Sequence, residues 1–206
     1  RESDLFHNRT EDNKYLYRYP LIQYKVTDKK ASLICLNDAT DDIHYLLRQR
    51  SFDFRIGDKQ LKYEIEDVRL KYERVQTWDQ SFNYNIHNWI ALNQDHFREY
   101  QQALSLVDKL KMLEDLLTKH LRIFMEAMQA DEPVPLEVHI RELKNEKYIE
   151  YKDVFHLTFS INFSCNLSIP NYIGLGKGVS VGFGIVKKLG DGSRYRARET
   201  EQDQGG

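Results

Sequence analysis

The sequence predicts an α+β protein of two halves, each with helices on one side of an antiparallel sheet. Apolar and polar residues alternate from Val154 to Leu167, as in a strand with one buried and one exposed face. Leucines recur at spacings of three and four from Leu106 to Leu121, as on one face of a long helix. The second half therefore has the order strand, helices, several strands, which suits this class.

The first half is predicted to run strand, strand, helix, strand. A hairpin at Asp28-Lys-Lys joins the first two strands, and Asn37-Asp38 caps a helix that runs through Ile43 and Leu47. A turn at Gly57-Asp58 separates the later strands. The predicted strands, rich in β-favouring residues, cover Tyr15 to Lys25, Ala31 to Leu36, Phe52 to Ile56 and Leu61 to Gln76.

The second half is predicted to hold two helices among its strands. Asn93 caps the first helix, Gln94 to Ala103, and the long leucine-striped helix ends near Gln129, before the prolines of Asp131-Glu-Pro-Val-Pro. The predicted strands are Phe82 to Leu92, Leu136 to Leu143, Lys147 to Tyr151, Val154 to Leu167 and Val179 to Leu189.

These elements divide the chain into a first half at 1–77, a second half at 78–189 and a flexible tail at 190–206. The tail is polar and ends in two glycines, a composition typical of a linker. The chain opens without an initiator methionine, so we expect further residues upstream of Arg1.

Composition limits the function classes. The formal net charge of −2 excludes a generally basic nucleic-acid coat, although one groove can be basic while the remaining surface is acidic. Cys35 and Cys165 lie in apolar or alternating runs, as buried thiols do, and do not form a disulfide framework. No apolar run is long enough to cross a bilayer. We therefore expect a soluble, cytoplasmic protein that binds no membrane.

Half of the ten glycines lie between Asn171 and Val186, at Gly174, Gly176, Gly178, Gly182 and Gly184. Glycine permits positive φ and close backbone approach, so exposed amides here can line a concavity for phosphate oxygens, with Lys177 adding a cation. The same glycines would also suit a tight hairpin or bulged strand pair that needs them for shape alone.

Two other glycine motifs do not fit this segment. A nucleotide-triphosphate loop needs Ser or Thr after its lysine at the start of a helix, whereas Gly178 follows Lys177. A dinucleotide fingerprint opens a strand-to-helix unit, whereas these glycines lie in a late antiparallel region.

The run Tyr172-Ile-Gly-Leu-Gly-Lys-Gly-Val-Ser-Val-Gly-Phe-Gly resembles the C-terminal glycine-rich motif of the repeat-associated RNA-binding (RAMP) superfamily of CRISPR systems. It is similar in particular to the Cas6 family of endoribonucleases, which cut repeat RNA to release guide RNAs, and the similarity extends from Leu5 to Val186. This resemblance implies two tandem ferredoxin-like (RRM-like) halves, with the first strand and most of the first helix upstream of Arg1.

The resemblance also implies RNA cleavage without metal, in which a 2′-hydroxyl attacks the adjacent phosphate to leave a 2′,3′-cyclic phosphate and a 5′-hydroxyl. Such chemistry needs a group of near-neutral pKa to move a proton and a cation to stabilise the phosphorane. Family members often carry their active histidine between the first helix and the second strand, and His7 fits that location. A solvated loop histidine is the alternative for His7. Lys14 and Arg18 are expected to stabilise charge, and Tyr15 or Tyr17 to orient the phosphate or transfer a proton. The alternative for each of them is an ordinary strand or groove residue.

RNA contacts are expected from the glycine amides, aromatic side chains and a set of basic residues. That set comprises Arg9, Lys14, Arg18, Lys177, Lys187 and Lys188. No cofactor and no metal are expected, because the other histidines lack paired ligand spacing: His44, His87, His96, His120, His139 and His156. Of these, His120 is expected beside the apolar stripe of the long helix. For His87, beside Trp89, a packing role is favoured over contact with RNA.

The expected partner is CRISPR repeat RNA, and other CRISPR-associated proteins are further candidate partners. Two other functions fit the same sequence. One is a non-catalytic guide-RNA-binding subunit of a CRISPR effector complex, in which His7 would be incidental. The other is an interaction domain of a larger fusion, with no affinity for RNA.

Overall fold

The computed structural model describes residues 18–27, 30–41, 43, 48, 52–56 and 58–190. These residues form eight strands, two long helices and a 3-10 turn at Val179–Val181. The helices are α1 (Gln94–Gln102) and α2 (Leu106–Met128). The strands are β1 (Ile22–Thr27), β2 (Lys30–Cys35), β3 (Phe52–Ile56), β4 (Lys59–Tyr63), β5 (Thr77–Trp89), β6 (Val138–Tyr151), β7 (Val154–Leu167) and β8 (Ile185–Lys188).

The first half contains two antiparallel hairpins, β1–β2 and β3–β4. The predicted hairpin between the first two strands is confirmed, with Ile22 opposite Cys35. The start of its first strand was predicted too early, because Arg18 to Leu21 lie outside β1. Pro20 has no N–H to donate to a strand ladder, which is a physical reason for the later start.

The strand predicted from Leu61 to Gln76 is also shorter than expected. β4 ends at Tyr63, and residues 64–75 belong to neither a strand nor a helix. These residues include β-favouring side chains that stay exposed, among them Val68, Leu70 and Tyr72. A strand needs a neighbour to satisfy its backbone groups, and no strand of the described part pairs with this segment.

The second half contains a four-stranded antiparallel sheet of order β6-β7-β5-β8. β7 spans the residues predicted for it, whereas β6 joins two predicted strands into one of 14 residues. Lys152 and Asp153 connect β6 to β7 with φ of 53° and 59°. Two positive φ angles in a two-residue loop match the right-handed twist of the flanking strands.

The two helices of the second half have their predicted boundaries to within one residue. The helix predicted through Ile43 and Leu47 lies partly outside the described residues. The side chain of Asn93 accepts a hydrogen bond from the His96 amide at the start of α1. α2 ends at Met128, and Gln129 follows in the left-handed region with φ of 51°. From Leu113 onward the leucine stripe of α2 is buried against one face of the sheet, whereas Leu106 at its start is 61% exposed. The core there includes Leu113, Leu117, Leu121, Phe124, Phe159, Ile161 and Phe163. Neither α1 nor α2 is long and apolar enough to cross a membrane, nor is any other helix among the described residues.

The last predicted strand, Val179 to Leu189, is wrong in its first part. Val179–Val181 form the 3-10 turn, and β8 contains only Ile185–Lys188. Gly178 and Gly182 flank the turn with φ of 68° and 97°. These positive angles reverse the chain, which the β-favouring valines alone do not reveal.

Candidate nucleic-acid interface

The glycine-rich segment from Tyr172 to Gly184 folds back on itself and onto the end of β5. Within it, the amide of Leu175 donates to the carbonyl oxygen of Gly184 at 2.9 Å. Toward β5, the amide of Lys177 donates to the carbonyl oxygen of Ile90 at 3.1 Å. The segment is therefore a fixed loop at one end of the sheet, and we call it the glycine loop.

Several glycine amides are not free to bind a phosphate. The amide of Gly174 donates to Gln23 Oε1 at 3.0 Å, that of Gly182 to the Val179 oxygen at 3.2 Å, and that of Gly184 to the Asn88 oxygen at 3.1 Å. These three glycines therefore do not offer an N–H group to the predicted phosphate cradle, because their N–H groups are already paired. The amides of Gly176 and Gly178 have no hydrogen-bond partner among the described residues, and both glycines are partly exposed.

Close packing explains why the loop needs glycine. A Cβ on Gly184 would lie 1.9 Å from the Leu175 oxygen, and Gly184 has φ of 63°. A Cβ on Gly176 would lie 2.7 Å from Nε1 of Trp89. Glycine for shape, the alternative that the sequence left open, therefore accounts for these two positions.

Trp89 and His120 support the loop from below. Trp89 is fully buried, and its Nε1 donates to Nδ1 of His120 at 3.2 Å. Burial, with smaller contributions from Lys177, His96 and Lys119, lowers the pKa of His120 to about 4. His120 is therefore neutral near pH 7 and accepts the indole hydrogen bond. It lies on α2 at the edge of the buried stripe, as the sequence predicted.

The first half of the chain anchors the loop at Gly174. The Tyr19 hydroxyl donates to the Gly174 oxygen at 2.8 Å, and the Gly174 amide donates to Gln23 Oε1. Gln23 Nε2 also donates to the Tyr19 hydroxyl at 2.9 Å. Both polar groups of Gly174 are thus held by two buried side chains that are themselves hydrogen-bonded. This network connects the two halves of the chain.

Two predicted RNA-binding residues border this anchored loop. Lys177 is exposed between Gly176 and Gly178, and partial burial lowers the pKa of its ammonium group. Arg18 is exposed and directly precedes Tyr19, the residue that binds Gly174. The fold therefore brings both cations near one loop from distant parts of the sequence.

The tip of the β6–β7 hairpin also reaches the loop. The ring of Tyr151 contacts that of Phe183 with centroids 5.2 Å apart, and Lys152 Nζ lies 5.4 Å from the Tyr151 centroid. Nearby, Tyr148 and Phe155 are 56% and 68% exposed. The tip thus offers aromatic and cationic groups beside the loop.

The face of the sheet opposite α2 is polar. The alternation along β7 predicted that this face would be exposed, but several of its side chains are buried. Thr158, Ser160 and Ser164 of β7 are buried there. Thr158 Oγ1 donates to the carbonyl oxygen of Lys147, and Ser164 Oγ accepts a hydrogen bond from Nε of Arg141. His87, which was predicted to pack, is instead exposed on this face, and its Nδ1 lies 3.0 Å from Ser160 Oγ. Burial, and then the charges of Lys147 and Lys187, lower the pKa of His87.

Lysines from β6 and β8 therefore lie near His87 on this polar face. Lys187 also places its Nζ 5.3 Å from the centroid of Tyr172, in the glycine loop. The polar face, the hairpin tip and the glycine loop together provide cations, free amides and exposed rings, the groups that bind single-stranded nucleic acid.

The predicted catalytic residues lie outside the described residues. This applies to His7, Lys14 and Tyr15, and also to Tyr17 and Arg9. Among the residues that the structure does describe, no three His, Cys, Asp or Glu side chains are grouped so that they could hold a metal ion.

Comparison with known proteins identifies the family. Residues 76–189 match the Cas6b C-terminal domain, and residues 1–74 match the Cas6b N-terminal domain. The chain belongs to the Cas6b family. An uncharacterized protein of Methanocaldococcus jannaschii, MJ0978, is 30% identical to this Cas6b chain over 141 residues, which are 65% of this chain and 94% of that relative.

Solved structures confirm the fold. A crystal structure of Cas6b superposes with a TM-score of 0.79 at 24% identity, covering 91% of this chain and 85% of that one. A crystal structure of the CRISPR RNA processing endoribonuclease Cas6b gives a TM-score of 0.68, also at 24% identity, covering 84% of this chain and 83% of that one. The predicted α+β fold of two tandem ferredoxin-like halves is thereby confirmed for this Cas6b chain.

Three residues beside Gly174 of this Cas6b chain were not among those predicted for the site: Tyr19, Gln23 and Lys25. Gln23 and Lys25 alternate with Tyr24 and Val26 along β1, and the polar pair is buried while Tyr24 and Val26 are 55% and 72% exposed. Hydrophobic alternation predicts the opposite orientation. A glutamine and a lysine two residues apart in a β-favouring run were the only local signal.

Proposed function

We propose that this chain is an endoribonuclease that processes CRISPR RNA by cutting repeat RNA. The match of both Cas6b domain models, at residues 1–74 and 76–189, carries the proposal. The shared fold with the Cas6b structure described as a CRISPR RNA processing endoribonuclease supports it.

The proposed reaction is attack of a 2′-hydroxyl on the adjacent phosphate, without a metal ion. His7 acts as general acid or base, because imidazole has a pKa near the operating pH. Lys14 stabilises the additional negative charge of the phosphorane, and Tyr15 orients the phosphate. The products are a 2′,3′-cyclic phosphate and a 5′-hydroxyl, so each proton removed from the nucleophile is balanced by one given to the leaving oxygen.

The proposed RNA-binding surface is centred on the exposed part of the glycine loop. Gly176 and Gly178 offer unpaired amides to phosphate oxygens, and Lys177 between them offers a cation. Arg18 contributes a second cation at the anchored side of the loop. Gly174, Gly182 and Gly184 contribute by shaping the loop, since their amides are already paired.

Stacking groups beside the loop suit single-stranded RNA. Tyr148 and Phe155 are exposed near the hairpin tip, and Tyr151 contacts Phe183 of the loop. Bases stack on such rings while the phosphates follow the cations. Lys147 and Lys187 extend the positive surface past His87 along the polar face.

A cleavage assay tests the proposal. The purified protein is incubated with repeat RNA in EDTA, beside a shuffled RNA of equal composition. We expect wild type and His139→Ala to cut the repeat at one position, because His139 is an exposed residue of β6. His7→Ala should bind the repeat with wild-type affinity and fail to cut it. Tight binding by wild type without cleavage would favour the non-catalytic guide-RNA-binding subunit instead.

A further inference from the structure

Lys25 is buried at the inner side of the glycine loop. Its side chain is 4% exposed and lies on the same face of β1 as Gln23, which binds Gly174. A Cβ on Gly174 would lie 3.2 Å from Lys25 Nζ, and one on Gly182 would lie 3.9 Å from Lys25 Cα. The lysine therefore packs directly against the loop.

The ammonium group of Lys25 is unpaired. Its Nζ is buried without a hydrogen-bond partner among the described residues. Gly174, against which the lysine packs, already bonds through its amide to Gln23 and through its oxygen to Tyr19. No other described lysine has a buried Nζ that lacks a partner.

An unpaired buried ammonium opposes folding, because desolvation of the charge is not compensated. Burial lowers the pKa of Lys25 to about 8, so the group is still mostly charged at neutral pH. An apolar residue of similar length would stabilise the free protein better at this position. The lysine is thus a cost to the free protein that an anionic ligand at the loop would offset.

We propose that Lys25 is a phosphate-binding residue for RNA, which pairs with a backbone phosphate held at the glycine loop. This inference rests on the proposed function. The flexible four-carbon stem allows Nζ to turn from its buried position toward the phosphate when RNA binds.

Two measurements on three variants test this role. The variants are Lys25→Met, Lys25→Arg and the control Lys30→Met, which removes an exposed lysine of the same hairpin whose Nζ is 2.5 Å from Glu66. Urea unfolding is followed without RNA, and binding to repeat RNA is measured at 4 °C in EDTA from 50 to 400 mM salt, with gels to verify that the RNA stays intact.

We expect Lys25→Met to unfold at the same or higher urea concentration than wild type, yet to bind RNA about tenfold more weakly. Its slope of log affinity against log salt should be shallower by about 0.7, the value for one lost phosphate contact on a single strand. Lys25→Arg should retain the slope, and Lys30→Met should match wild type in both measurements.

Unchanged affinity and slope in Lys25→Met would overturn the role of Lys25 while leaving the proposed function intact. Equal destabilisation in Lys25→Met and Lys25→Arg, with affinity lost in proportion, would make the role structural and also overturn it. If Lys25→Met does not fold, Lys25→Gln replaces it with the same expected slope. Absence of RNA binding by wild type at 50 mM salt would overturn the proposed function and this inference together.

Discussion

The hydroxyl of Tyr19 donates a hydrogen bond to the carbonyl oxygen of Gly174 at 2.8 Å, although 155 residues separate them in the sequence. This bond holds the glycine loop of the second half against the start of the first half. The Tyr19 ring also packs edge-on against Phe124 of α2, with centroids 5.2 Å apart. The loop position thus depends on both halves of the chain.

Tyr19→Phe should destabilise the protein by about 1 to 3 kcal/mol, because it leaves the Gly174 oxygen buried and without its donor. The ring and its contact with Phe124 are retained. Urea unfolding checks the value, and Tyr148→Phe is the matched control, since the Tyr148 side chain is exposed. Equal effects of the two variants would contradict the anchoring role of Tyr19.

Gly184→Ala should destabilise the protein by at least about 3 kcal/mol, because the added Cβ meets the Leu175 oxygen and the positive φ strains a side chain. Gly190→Ala is the control, since its Cβ would have no atom within 4 Å. The control should change stability by less than about 0.5 kcal/mol. Thermal unfolding of both variants checks the difference, and a stable Gly184→Ala protein would refute the described loop geometry.

The leucine stripe of α2 and the alternation of β7 were predictable because each element repeats its own period over many residues. The 3-10 turn at Val179–Val181 was not, because it depends on the positive φ of Gly178 and Gly182 and not on the valines. The absence of a strand at residues 64–75 was likewise not predictable from the local sequence. Their side chains favour strands, but no described strand lies beside them.

The candidate site was only partly predictable. Lys177 and the glycine cluster are visible in the sequence, but the pairing of Gly174 with Gln23 depends on a contact across 151 residues. The burial of Lys25 is equally non-local, because the glycine loop covers that face of β1. The division at 77 and 78 stays a prediction, as do the roles of His7, Lys14 and Tyr15.

Acid should weaken the protein through His120. Its folded pKa of about 4 lies below the ordinary 6.5, so the unfolded chain takes up a proton first as pH falls. The free energy of unfolding should therefore decrease from pH 6.5 to pH 4, by up to about 3 kcal/mol from this group.

Urea unfolding at pH 7 and pH 4.5 measures the contribution of His120. The decrease should be smaller in His120→Gln, which can still accept a hydrogen bond from Trp89. An identical decrease in wild type and His120→Gln would show that His120 is not held neutral.

Lys177→Gln should weaken binding to repeat RNA and make the slope of log affinity against log salt shallower by about 0.7. The charge is lost from the exposed part of the glycine loop, while the backbone hydrogen bond to Ile90 is retained. Lys111→Gln, an exposed substitution on α2, is the control and should keep the wild-type slope. Binding measured at four salt concentrations distinguishes them, and equal slopes would argue against RNA contact at Lys177.

Analysis of the cleaved ends of repeat RNA tests the central claim most directly. In EDTA, wild type should produce one cut with a 2′,3′-cyclic phosphate on the upstream fragment and a 5′-hydroxyl on the downstream fragment. A single 2′-deoxy substitution at the cut nucleotide should abolish that cut while binding persists. Products with a 5′-phosphate, cleavage of the 2′-deoxy RNA at the same position, or intact repeat RNA after incubation with wild type would contradict the account.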